Sequence, residues 1–147
     1  MSYERLRPEL AEPLAELFAA LSAAGDGRTF HPHPLTRDEA ERLSAYDGAD
    51  VYGVLVEDGR AVAYGMLRGW DEGFDVPSLG LAVHPDERGR GLGRLLTERL
   101  HDEARRRGAT RVRLTVYADN EPARKLYERL GYELEETGAE LIGYMAL

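Results

Sequence analysis

Three glycines at alternate positions in Arg88-Gly89-Arg90-Gly91-Leu92-Gly93 strip side chains from a short loop just ahead of a strongly helical run. Glycine adopts backbone angles closed to other residues, and the helix that follows points its positive end at whatever the loop holds. Such a loop can set backbone N–H groups against an anion, and a phosphate is the expected guest. Arg88, Arg90 and Arg94 lie within or beside it, and the planar guanidinium fork suits phosphate oxygens. Two well-known phosphate loops do not fit. No Lys-Ser or Lys-Thr follows any glycine, so the G-x-x-x-x-G-K-[ST] loop is absent, and a G-x-G-x-x-G fingerprint started at Gly91 meets Leu96 at its third glycine. The plain alternative is a surface turn that caps a helix.

The neighbours of the loop narrow the choice. Leu79-Gly80-Leu81-Ala82-Val83-His84-Pro85 reads as a buried strand ended by proline, and Leu92, Leu95, Leu96, Leu100 and Ala104 form one helical stripe. Arg105, Arg106 and Arg107 crowd the last turn of that helix, where cations oppose the negative end of its dipole, and Gly108 terminates it. After a strand over Val112–Val116, Asn120 caps a further helix with Pro122 in its first turn. Ala123, Leu126, Tyr127 and Leu130 share one face of that helix, so periodicity alone makes Tyr127 a core residue.

At Arg88, Gly91 and Gly93, and again at Asn120, Ala123, Leu126, Tyr127, Gly131 and Tyr132, the chain resembles the GNAT superfamily of acetyl-coenzyme A-dependent N-acetyltransferases. The two motifs are [QR]-x-x-G-x-[GA] and N-x-x-A-x-x-L-Y-x-x-x-G-[FY], in the family's order and at its usual separation. The resemblance covers residues 78–132. It implies a single-domain α/β fold with a mixed, twisted sheet of six or seven strands, splayed at its centre, and helices on both faces. It implies acetyl-coenzyme A as cosubstrate, held by Arg88, Gly89, Arg90, Gly91, Leu92, Gly93 and Arg94 at the pyrophosphate. A bulged strand at Leu81, Ala82 and Val83 would bind the pantetheine amides, and Asn120, Ala123 and Tyr127 complete the cofactor set. Tyr127 takes the role of the acid that protonates the departing thiolate. One departure stands out, because many members place a glutamate two residues before the position of Leu81 as general base, and this chain has Leu79 there.

A length of 147 residues makes one domain, taken as 1–147. Lys plus Arg number 19 against 27 Asp plus Glu, and the net charge of −8 argues against generic affinity for nucleic acid or an anionic membrane. The absence of cysteine removes disulfides, a thiol nucleophile and cysteine metal sites. With no signal-peptide core and no long apolar run, the expectation is a cytoplasmic monomer or homodimer.

Ser2–Leu6 suggests an edge strand and residues 8–24 a helix with Leu10, Leu14, Leu17, Phe18 and Leu21 inward. The alternate prolines of Phe30-His31-Pro32-His33-Pro34 make a stiff loop. His31 and His33 there lack a third ligand at metal spacing, so no metal is expected; either is a solvated loop histidine or a proton relay. Thr36 and Glu39 make a capping box for a short helix reaching Tyr46. Val51–Val56 and Arg60–Gly69 form a hairpin across Asp58-Gly59, and a second connection, Trp70-Asp71-Glu72-Gly73-Phe74-Asp75, leads to a strand over Val76–Val83. That connection is either a solvated acidic turn or an acceptor site, in which carboxylates beside aromatic faces orient an amine or a sugar. Closing strands are expected at residues 132–136 and 140–146, with Gly138 at their turn.

The expected reaction is acetyl transfer to a primary amine of a small molecule, with an amino sugar or nucleotide-linked amino sugar preferred, by direct attack without an acyl-enzyme. An alkyl ammonium of pKa about 10 has no lone pair for attack. In place of the missing glutamate, Ser78, Asp75, His31 or His33 would relay its proton, or the amine itself would be weakly basic. His31, His33, Trp70, Asp71, Glu72, Asp75 and Ser78 are thus the candidate acceptor residues. Acetylation of a protein N-terminus or lysine, and an inactive acyl-coenzyme A-binding module, stand as alternatives.

Overall fold

A computed structural model describes residues 1–26 and 32–147. Seven strands form one sheet: β1 (Ser2–Arg5), β2 (Val51–Glu57), β3 (Arg60–Arg68), β4 (Ser78–Val83), β5 (Arg111–Tyr117), β6 (Glu133–Glu136) and β7 (Glu140–Ala146). Four helices pack on it: α1 (Ala11–Ala23), α2 (Arg37–Ser44), α3 (Leu92–Arg106) and α4 (Glu121–Leu130). The strand order is β1-β2-β3-β4-β5-β7-β6, antiparallel throughout except for β4 beside β5.

Alternation along the central strands sends side chains to two cores. On one face α3 and α4 bury Leu92, Leu96, Leu100, Ala104 and Tyr127 against Ala63, Leu67, Leu79, Val112 and Leu114. On the other, α1 and α2 bury Leu14, Leu17, Phe18, Leu21 and Leu43 against Tyr52, Val54, Tyr64 and Met66. All five inward residues expected of the first helix are buried. Leu95 is not part of the α3 stripe and stands 41% exposed; it lies about 120° round the helix from the stripe's centre at 3.6 residues per turn. Close seating of α3 depends on Gly65 of β3, where an added Cβ would sit 2.8 Å from Leu100 Cδ1 and 3.0 Å from Leu96 Cδ2.

Several boundaries differ from the sequence reading. The first helix is preceded by a separate tight turn at Pro8–Leu10, because prolines at 8 and 13 interrupt the donors of a continuous helix. The second helix stops at Ser44. Its Thr36 hydroxyl accepts from the Glu39 amide at 3.2 Å, but the Glu39 carboxylate turns to Arg42 instead of closing the capping box. Residues 76 and 77 precede β4 rather than beginning it.

The expected bulge in β4 is absent. Its ladder with β3 runs unbroken from Arg68↔Ser78 to Ala63↔Val83, and the irregularity lies two strands away, between Leu55 and Val56 of β2. The splay arises on the other edge of β4, which pairs with β5 only at Ser78↔Arg113, supported by the Arg113 amide donating to the Pro77 carbonyl at 2.9 Å. Beyond that point the two strands part.

The 69–75 connection is held in place by Asp50, which the sequence reading missed. Its carboxylate is 5% exposed and accepts from the amides of Gly69, Trp70 and Asp71 at 3.0, 2.9 and 3.3 Å. A carboxylate that meets several backbone donors stabilises them strongly, and its loss leaves them unsatisfied. Asp50→Ala should cost about 1.5–3 kcal/mol, lowering the midpoint of thermal unfolding by roughly 3–10 °C, with a smaller loss for Asp50→Asn, which keeps one acceptor oxygen. Circular dichroism melts check this; an unchanged midpoint in the alanine variant would remove Asp50 from its anchoring role.

Candidate active site

Where β4 and β5 separate, two cavities open. One, of about 820 Å³, is lined by Leu81, Ala82 and Val83 of β4, by Arg88, Gly89, Gly91, Leu92, Gly93 and Arg94, and by Asn120, Ala123 and Tyr127. The other, of about 860 Å³, is lined by Gly69, Glu72, Phe74, Asp75 and Val76 of the connection, by β4 from Ser78 to Leu81, by Arg111, Arg113 and Thr115 of β5, and by Glu140 and Tyr144 of β7. Leu81, Asn120, Ala123 and Tyr127 line both, so the cavities share a wall at the splay.

The first cavity contains the end of α3. Gly91 is its N-cap, in a left-handed conformation at φ 77° that disfavours any residue with a side chain, and no side chain caps the helix. The opening N–H groups of the helix therefore have no intrahelical acceptor, and the dipole adds partial positive charge there. A Cβ built on Gly91 meets nothing within 4 Å, so the space in front of the amides is open. Gly93 packs α3 against α4, with an added Cβ 3.1 Å from Leu126 Cδ2. The arginines divide. Arg88 and Arg94 line the cavity while pairing with Asp26 and Glu98, whereas Arg90 turns to Glu57 and Glu87 and ties the loop to the end of the β2–β3 hairpin.

Asn120 caps α4 through Oδ1, which accepts from the Ala123 amide at 3.4 Å. Capping starts the helix at the splay, and about two turns later Tyr127 reaches both cavities. Its side chain is 7% exposed and packs edge-on against Tyr132, ring centroids 5.5 Å apart. Burial pushes its phenol well above the ordinary value, so at neutral pH it stays protonated and keeps an O–H to donate. No described residue hydrogen-bonds its hydroxyl. Leu79, at the position where a base was sought, is 5% exposed in the α3 core and offers no proton acceptor.

With this geometry stands a set of likenesses. The model of the acetyltransferase (GNAT) family matches residues 15–132. The chain belongs to that family. An acetyltransferase of Sodalis glossinidius is 34% identical over 83 residues, 56% of this chain and 58% of the relative, so the match spans little more than half of that protein. The GNAT domain of S. lividans PAT superposes with a TM-score of 0.84 at 20% identity, over 99% of this chain and 89% of that domain. The PaiA N-acetyltransferase of Thermoplasma acidophilum, solved in complex with coenzyme A, gives 0.79 at 16% identity over the full length of both chains.

Within this GNAT fold the expected acceptor residues fall into two groups. Glu72, Asp75 and Ser78 line the second cavity. Trp70, Asp71 and His33 line neither cavity. The Asp71 carboxylate is taken by the Tyr46 hydroxyl and the Ala49 amide, the latter at 2.8 Å. Trp70 packs against the core with the Arg107 guanidinium 4.8 Å above its ring. His33 is not a solvated loop residue but a buried one, packed on Phe18 and Tyr64 with Nε2 2.8 Å from the Tyr64 hydroxyl and Nδ1 2.8 Å from the Pro34 carbonyl. His31 lies outside the described residues. Among the described residues no helix is long and apolar enough to cross a membrane, and no cluster of three or more His, Asp or Glu side chains is placed to hold a metal.

The residues missed by sequence reading are Arg68, Arg111, Arg113, Thr115, Glu140 and Tyr144. Period-two alternation in Arg111-Val112-Arg113-Leu114-Thr115-Val116-Tyr117 carried the signal, since the valines and the leucine claim the helix-covered face and leave the arginines on the other.

Burial lowers the pKa of both His33 and His101, the latter 2.6 Å from the Tyr132 hydroxyl. With the folded value below the unfolded one, the unfolded chain binds more protons between the two, so stability falls with pH once it drops below about 6.5. Urea unfolding between pH 7.5 and 5.5 should show that decline, and the His33→Gln/His101→Gln double variant should show a flatter slope. Parallel slopes in the two proteins would rule these histidines out as its source.

Proposed function

We propose that the chain transfers the acetyl group of acetyl-coenzyme A to a primary amine of a small molecule, by direct attack of the amine. The observation that carries this reading is the shared wall: an anion-binding helix end in one cavity and a polar acceptor chamber in the other meet at Tyr127. The residues fit the cosubstrate. Open space before uncapped amides suits a pyrophosphate, with Arg88 and Arg94 beside it. The β5-facing edge of β4 has no strand partner beyond Ser78, which leaves backbone groups near Leu81–Val83 for the pantetheine amides. Acetyl-coenzyme A would supply an activated acyl carbon and a thiolate leaving group. The family's cofactor and the coenzyme A complex of the T. acidophilum protein support the assignment.

Tyr127 donates from its protonated hydroxyl to the departing sulfur. The carboxylates of Glu72, Asp75 and Glu140 line the acceptor chamber and take up the ammonium's proton there, with the Ser78 hydroxyl relaying it. No acyl-enzyme is needed, since the chain lacks cysteine and no serine of the described residues is hydrogen-bonded to a histidine. An amino sugar suits the chamber, where Phe74 stands 59% exposed as a face for a ring. Leu79 in place of a base favours a second reading, an acyl-coenzyme A-binding module without turnover.

Acetyl-coenzyme A at about a hundred times its dissociation constant should add about 2.7 kcal/mol and raise the melting temperature by roughly 5–10 °C. Gly91→Val should lose that shift, because valine both resists the left-handed backbone and fills the space before the amides. Absence of a shift and of calorimetric binding in the wild-type protein would overturn the proposal. Binding without release of coenzyme A thiol from any amine would leave the module.

Tyr127→Phe keeps the ring packing and removes only the donor. Its kcat should fall about ten- to a thousandfold with little change in cofactor affinity, as expected of an interaction made in the transition state. Steady-state kinetics with one acceptor, under conditions where acyl transfer limits turnover, decide this; an equal kcat returns Tyr127 to a packing role.

A further inference from the structure

Three arginines in the acceptor chamber have no carboxylate partner among the described residues. Arg68, Arg111 and Arg113 all line it, as do Glu72, Asp75 and Glu140, yet no ion pair joins the two sets. In a chain with 27 acidic residues against 19 basic ones, carboxylates are plentiful enough to have paired them. Arg113 is the sharpest case. Its Nε is shut from water and finds no acceptor among the described residues. A buried guanidinium donor left unpaired is costly, and such a group persists where a ligand completes it.

The backbone register places the arginines together. Arg68 of β3 pairs with Ser78 of β4, Ser78 with Arg113 of β5, and Arg113 with Tyr144 of β7. Directly paired residues project to the same face of a sheet, so the four make one row across the floor of the chamber, at the only rung that joins β4 to β5. Arg68 spends one nitrogen on the Pro32 carbonyl at 2.8 Å, and Arg111 stacks 4.9 Å from the centre of the Tyr144 ring. The row thus offers guanidinium donors on both sides of a serine hydroxyl, a donor set suited to a planar or tetrahedral oxyanion.

We infer that the acceptor amine carries an oxyanion, a carboxylate or a phosphate, and that Arg68 and Arg113 hold it while the chamber's carboxylates face its ammonium. The inference rests on the acetyl-transfer reading and specifies the acceptor class for that same site. Two groups of opposite charge on one substrate, met by two separate sets on the protein, also fix which end points at the splay.

The test is thiol release from acetyl-coenzyme A with matched amines: β-alanine against β-alaninamide, and phosphoethanolamine against ethanolamine. At least one anionic member should exceed its neutral partner about tenfold or more in kcat/KM, and whichever pair does so tells carboxylate from phosphate. In Arg113→Gln that selectivity should collapse by about ten- to a hundredfold, as for loss of a charge-assisted hydrogen bond. Arg113→Lys, which keeps the charge on a similar stem, and Arg68→Gln should lie between. Calorimetric affinity for acetyl-coenzyme A, bound in the other cavity, certifies that each variant is folded. Neutral partners used as well as the anionic ones overturns the inference and leaves acetyl transfer standing, as does selectivity that survives in all three variants. No thiol release with any of the four amines, nor with a wider panel of primary amines, overturns the acetyl-transfer reading and this inference with it.

Discussion

The rest of the site depends on a single interstrand rung. β4 and β5 are parallel, and parallel strands in a regular sheet continue to pair along their length. Here they meet at Ser78↔Arg113 and then separate, each still held along its other edge, β4 by β3 and β5 by β7. That arrangement leaves strand edges open without leaving the sheet in two pieces. It works because α3 and α4 cover the gap from one side with Leu92, Leu96, Leu126 and Tyr127. The same helices bring an uncapped N-terminus and a buried phenol to the opening, so the packing that bridges the gap also furnishes its chemistry.

The two cavities differ in how they are built. The cavity proposed for the cofactor is made of regular structure: a strand edge, two helix starts and a glycine turn whose geometry is set by backbone angles. The cavity proposed for the acceptor is made of the alternate face of β5 and a connection that has little regular structure of its own. What gives that connection a fixed shape is Asp50, with three backbone amides on its carboxylate, and Asp71, tied to Tyr46 and Ala49. Acidic residues thus serve two ends within eight residues of chain. Asp71 is structural, while Glu72 and Asp75 face the chamber.

Much of this was legible from residue order, for identifiable reasons. Gly89, Gly91 and the Asn120 cap express local backbone demands, positive φ and helix capping, which act within a few residues and so appear directly in sequence. The histidines and the Trp70–Asp75 acids were harder. Whether His33 is solvated depends on Phe18 and Tyr64, far away in the chain, and whether Asp71 faces a ligand depends on Tyr46. The expected β4 bulge failed for a related reason: the splay is a property of the β4–β5 pairing and leaves no mark on β4 itself. Leu95 was misplaced because a three-residue spacing from Leu92 fits a helical stripe on paper, whereas the actual stripe turns the other way.

The arginines of β5 bring these strands of argument together. A net charge of −8 invites a cationic partner, and read alone it points to a simple amine. Charge summed over a chain, however, governs long-range attraction, while recognition is decided by the few groups that lose water on binding. Many surface charges are spent in exposed short-range pairs such as Glu98 with Arg94 and Glu121 with Lys125, where each is worth little. Inside the cavity proposed for the acceptor the balance is even, three arginines to three carboxylates, and the arginines stay apart from the acids. A substrate drawn toward the protein by its ammonium would therefore meet, at the one rung joining β4 to β5, a floor built for its opposite end.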